Sequence, residues 1–172
     1  MMHASHPLHC RRAMGTDGFT LVEIMIAVAV LSVGMIGVMD VFYSVQVLNE
    51  HSRHMTWAAS DANRVLERMR EENNGCLAPS ADPADGAATW DAWLTDTGGG
   101  KSIQPDPATN ELVTVTSSGT DPLTVTVMVC WRHRTRVIGE CAWDGTALST
   151  SDLDEDGTLE SPVMMSTLMS CH

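Results

Sequence analysis

Positive charge is scarce in this 172-residue chain: Lys and Arg total 10 against 22 Asp and Glu, giving a formal net charge of −12. Such an acidic balance argues against nonspecific nucleic-acid binding through a basic face. Motifs of catalysis are missing as well. Over residues 75–172 no Gly-rich phosphate loop, nucleophile motif or pair of catalytic carboxylates occurs, and the histidines there lack partners at informative spacing. The expectation is therefore no enzyme, no small-molecule substrate and no required cofactor. Helix breakers are absent between Asp40 and Asn74, where neither Pro nor Gly appears. Ionisable groups are almost absent from Phe19 to Met39, twenty-one residues in which Glu23 is the exception and Thr20 and Ser32 are the only hydroxyls.

That run is long enough to cross a bilayer as a helix, which takes roughly 20 apolar residues. Glu23 is then the residue that needs a reason. An unpaired charge in hydrocarbon costs about 2.5–3.5 kcal/mol on insertion scales, so an intramembrane acid marks a functional site and calls for a partner. The residues around it, Gly18-Phe19-Thr20-Leu21-Val22-Glu23 followed by an unbroken apolar helix, resemble the type IV prepilin cleavage and methylation signature. The resemblance covers Arg11 to about Asp40. It implies a short basic leader ending in Gly18, an N-methylated Phe19 at the first mature position, and Glu23 at the fifth. The continuation from Ala27 to Gly37, with Gly34-x-x-Gly37 and no Pro, looks most like minor pilins of the PilV type, since major pilins usually carry a Pro further along this helix.

The family resemblance also implies partners. A prepilin peptidase and N-methyltransferase of the inner membrane would cut between Gly18 and Phe19 and methylate the new amine, and Glu23 would pair with the Phe19 amine of a neighbouring pilin subunit. Charge placement agrees, because Arg11 and Arg12 precede the apolar run and basic residues are retained on the cytoplasmic side, leaving the head in the periplasm and later in a surface pilus. An ordinary secretory signal would place its apolar run before the cleavage site and end it in small residues. Here the site precedes the run, so processing keeps the anchor. Removal of the leader, whose Arg11, Arg12 and Asp17 sum to +1, takes the net charge to about −13. Two other readings stay open: a minor pseudopilin of a type II secretion system, and a membrane- or pilus-tip-anchored binding or adhesion protein.

The predicted fold class is α+β, a long N-terminal helix packed on a small antiparallel sheet. The leader is 1–18, the transmembrane or filament-core helix 19–41, its amphipathic continuation 42–74, and the head 75–172, with an irregular loop over 75–110 and the sheet over 111–172. The helix totals roughly 55 residues, on the order of 80 Å at 1.5 Å each. Beyond Val41, Leu48, Ser52, Met55, Ala59, Ala62, Leu66 and Met69 recur in steps of three and four and predict the packing seam. Glu50, Arg53, Asp61, Arg64, Glu67, Arg68 and Glu71 fall on the wet side, with Asp61–Arg64 and Arg68–Glu72 spaced to pair. Asn73-Asn74-Gly75 supplies the stop.

Within the loop, Trp90, Trp93 and Leu94 predict a short helix over about Ala88 to Leu94, docked on the head or exposed to a partner. Leu112–Thr116 and Leu123–Trp131 predict a hairpin, the second strand placing Leu123, Val125, Val127, Val129 and Trp131 on one face. Further strands are expected near Thr135–Trp143 and Pro162–Met169. The dense basic cluster Arg132-His133-Arg134-Thr135-Arg136 reads as a solvated hairpin end or a contact for an acidic neighbouring subunit.

Cutting after Gly18 removes Cys10 and leaves Cys76, Cys130, Cys141 and Cys171, an even number suited to two disulfides in an oxidising compartment. Three pairings are open; Cys130 with Cys141 and Cys76 with Cys171 is preferred. The rival is zinc on Cys130, His133 and Cys141 with His172, although that spacing matches no compact zinc signature. Finally, Asp152-x-Asp154-x-Asp156-Gly157 is the opening of a calcium loop, with Thr158 placed to ligate through its carbonyl. Val163 stands where the closing bidentate acid belongs, so a further ligand must come from Glu160 or another loop.

Overall fold

The computed structural model describes residues 18–75, 78–103, 107–155 and 158–171. Helix α1, Leu21–Glu72, is one unbroken element of 52 residues, as the absence of Pro along it allows. The chain divides into two compact units between Val45 and Gln46. The first holds the apolar part of α1, where every large apolar side chain from Phe19 to Val45 is more than half exposed.

The second unit is the head. Its sheet is built on β2, Leu123–His133, the longest strand. One edge of β2 pairs antiparallel with β1, Glu111–Ser118, in a register that places Val113 opposite Val129 and Val115 opposite Val127. On its other edge, β3, Arg136–Ile138, and β6, Val163–Met169, pair with successive stretches of β2. Alternation explains the packing. Leu123, Val125, Val127, Val129 and Trp131 enter one core with Ala58, Ala62, Val65, Leu66 and Met69 of α1. The fold is thus α+β, a long helix packed on a small antiparallel sheet, which is the pilin-like architecture that the N-terminal resemblance implies.

The opposite face of β2 is covered too. Met128 and Cys130 form a second cluster with Cys141 and Leu148 from a separate two-stranded sheet, β4, Cys141–Trp143, with β5, Leu148–Thr150. The expected third strand over 135–143 is therefore two strands in two sheets. The break falls at Gly139, whose φ of 94° is unsuited to other residues and whose added Cβ would lie 3.0 Å from Cys130 Sγ and from Ser161 Oγ. A Cys130–Cys141 disulfide joins the two sheets. Its thiolates are consequently unavailable to zinc, which overturns the Cys130–His133–Cys141 metal reading; His172 lies outside the described residues. Cys171 is also disulfide-bonded, while Cys76 lies outside the described residues.

The packing seam of α1 differs from the expected one. Leu48 is 65% exposed and Ser52 is exposed, whereas His54, Ala58 and Asp61 are buried together with Ala62, Val65, Leu66 and Met69. Asp61 is the instructive case, a carboxylate assigned to the wet side that is fully buried. It is tolerated because its oxygens are satisfied: Oδ2 accepts from Ser102 N at 2.7 Å, and Oδ1 accepts from Ser102 Oγ at 2.6 Å and from the Arg64 guanidinium. Arg64 reaches on to the carbonyls of Gly98 and Gly100. Arg68 pairs with Glu72 at 2.9 Å.

Helix α2, Trp90–Asp96, is capped by Thr89, whose side chain accepts from Ala92 N at 3.1 Å. Trp90, Trp93 and Leu94 are all buried in the core, so this helix docks on the head and the alternative of an exposed Trp contact falls. A single helical turn, α3, Pro107–Asn110, leads into β1.

Candidate processing and assembly site

Gly18, Phe19 and Thr20 precede α1 and are exposed. The helix begins where it does because Thr20 caps it. Its hydroxyl accepts from Glu23 N at 3.3 Å and its carbonyl accepts from Ile24 N at 3.2 Å. The Thr-x-x-Glu spacing is that of a capping box, a signal readable in the sequence alone. As a result the Gly18–Phe19 peptide stays outside the helical hydrogen-bond ladder. Phe19 is 80% exposed.

Glu23 lies in the first turn of α1, where a negative side chain complements the positive end of the helix dipole. Glu23 and Phe19 line one shallow groove with Ile24, Ala27, Val28 and Leu31. The structure thus places Gly18 and Phe19, where the sequence resemblance puts the cleavage, and the acid on one helix end, amid apolar surface. Farther along, Gly34 and Gly37 lie beside Val38, Val41, Phe42 and Val45 in a second apolar groove.

Residues 14–39 match the family model described as the prokaryotic N-terminal methylation motif. The chain carries a type IV prepilin-like N-terminus. No curated protein and no solved structure gives a significant match. The motif and the apolar stretch of α1, long enough to cross a membrane and with none of it buried within the chain, together point to membrane anchoring. Exposed apolar surface of this extent is otherwise incompatible with water.

The remaining sequence-derived candidates lie in the head. Asp152 and Asp154 each place a carboxylate oxygen within 4.8 Å of the other and of one from Glu140. Glu140 is the residue that sequence reasoning missed, since it lies outside the loop motif. Its oxygens also organise the loop, Oε2 accepting from Glu160 N at 2.7 Å and Oε1 from Leu153 N at 3.4 Å. Thr158 lies in the same loop; Asp156 is outside the described residues.

The basic cluster is only partly a solvated end. Arg134 bonds Glu50 of α1 at 3.2 Å, and Arg132 stacks over the Trp143 ring at 4.4 Å. His133 faces His54, with 3.3 Å between their Nδ1 atoms. Burial, then the neighbouring His133, lowers the His54 imidazole below its usual range.

Proposed function

We propose that the chain is a minor type IV pilin of the PilV kind, an assembly subunit with no catalysis of its own. The observation that carries this reading is the methylation motif, with Gly18, Phe19 and Glu23 on the exposed, Thr20-capped end of a bare apolar helix. A prepilin peptidase of the inner membrane cuts between Gly18 and Phe19 and methylates the freed amine. Before assembly the apolar stretch of α1 anchors the subunit with its head in the periplasm. Within a filament the same side chains pack against other subunits, and Glu23 pairs with the Phe19 amine of a neighbour. That ion pair is far stronger in an apolar surrounding than in water.

The minor-subunit assignment is supported by the uninterrupted helix and by Gly34-x-x-Gly37. Intact mass spectrometry of protein purified from membranes tests the processing: the expected mass lacks residues 1–18 and carries one added methyl. A chain that retains its leader in cells with an active peptidase would overturn the reading. The pseudopilin alternative shares this N-terminus and predicts a periplasmic rather than a surface fibre, so recovery in sheared surface filaments distinguishes the two.

A further inference from the structure

Three side chains meet in the head at a place unrelated to the N-terminal motif. Glu50 and His54 stand four residues apart on one face of α1, and His133 ends β2. Each offers one ligand atom, and these atoms lie within 4.8 Å of one another. The two imidazoles meet edge to face, ring centroids 5.1 Å apart, with Nδ1 opposite Nδ1.

Two imidazole nitrogens that face each other share one proton or a metal ion. In either case His133 Nε2 stays buried without a hydrogen-bond partner, its nearest carboxylate oxygen being Glu50 Oε2 at 3.9 Å, so the distance between the facing nitrogens carries the choice. The separation suits a metal. Nitrogens bound at about 2.0–2.1 Å in a tetrahedron lie roughly 3.3–3.4 Å apart, against the 3.3 Å seen. Helix positions four apart are also the spacing at which two ligands of one zinc ion are delivered.

We propose that Glu50, His54 and His133 form a zinc-type divalent metal site that ties α1 to the end of β2. Two imidazoles and a carboxylate suit zinc among the divalent ions, and a water completes four-coordination. The site differs from the cysteine-based one considered above, sharing only His133. Its competitor is Arg134, which holds the Glu50 carboxylate at 3.2 Å and is itself half exposed. The metal therefore displaces an ion pair at the protein surface, a contact of small worth.

The test uses the full chain in detergent, stripped with a chelator and titrated with ZnCl2 against a colorimetric zinc indicator. The leader histidines His3, His6 and His9 are controlled by a variant with all three changed to Gln. The expected result is one zinc per chain, retained in the leader variant and weakened at least tenfold in His133→Gln and in Glu50→Gln, with Arg134→Gln tightening it. His54→Gln belongs in the series, and because His54 is buried its helical content is checked by circular dichroism; the two rim variants decide the matter if it misfolds. Absence of stoichiometric zinc, its loss in the leader variant alone, or unchanged affinity in His133→Gln and Glu50→Gln would overturn the proposal.

Discussion

Glu23 and Glu111 are the two carboxylates whose surroundings carry the most consequence, one at the end of a bare helix and one inside the head. Under the assembly reading, Glu23→Ala leaves an apolar helix that still inserts, while losing the partner of the Phe19 amine. The expected outcome is normal membrane-fraction abundance with incorporation into sheared filaments reduced at least tenfold; wild-type incorporation would count against the pairing. Glu111 is 1% exposed. Its Oε2 accepts from Ile103 N at 3.1 Å, and burial followed by the hydrogen bond and charge of Asp61 pushes it up to about 8. The folded chain therefore holds this proton more tightly than the unfolded one. Stability from it is full below about pH 4.5 and is lost as pH rises through about 8. Thermal melts from pH 5 to pH 9 should show a falling Tm, and Glu111→Gln should flatten that slope; an unchanged slope in the variant would remove Glu111 as its source. Lys101, buried and bonded to Asp91 at 2.8 Å, donates to the Glu111 carbonyl at 2.7 Å and pins the same segment.

The elements were legible to very different degrees. Helix α1 could be read from end to end, because Thr20 starts it, Asn73-Asn74-Gly75 follows its end, and nothing between interrupts it. The period-two pattern of β2 was equally plain. Its second buried face was not, because Met128 and Cys130 become core only when β4 and β5 cover them, and three-residue strands are too short to show a period. The α1 seam was displaced for a different reason. Hydropathy sorts Asp61 as wet, whereas Ser102 and Arg64 satisfy its carboxylate from inside the head. The acidic loop depends on such long-range placement as well. Calcium binding through Asp152, Asp154 and Glu140, with Asp156 and the Thr158 carbonyl supplied by the sequence motif, is our proposal for that loop. Calorimetric titration of the full chain with CaCl2 should give a heat that Asp152→Asn and Glu140→Gln each reduce severalfold. A parent chain that gives no heat, or variants that bind like it, would dismiss calcium here.

At the scale of the whole molecule, one chain carries two solvents' worth of surface. The stretch through Val45 presents apolar side chains outward, while the unit from Gln46 onward buries most of its own in a core. The first is unsuited to water, which is the physical content of membrane anchoring. This contrast was determined by the sequence alone, since it follows from where the ionisable residues are and are not. So were the prepilin-like motif, the hairpin of β1 and β2 and the helix that backs it, all of which rest on local chemistry and on periods within one segment. Only the tertiary structure decided that Asp61 is buried, that Cys130 meets Cys141 and that Glu140 joins the acidic loop. It likewise decided that His54 faces His133 across 79 residues of sequence. Each of these is a meeting of side chains from separate elements, and no local pattern records which faces the packing will bring together.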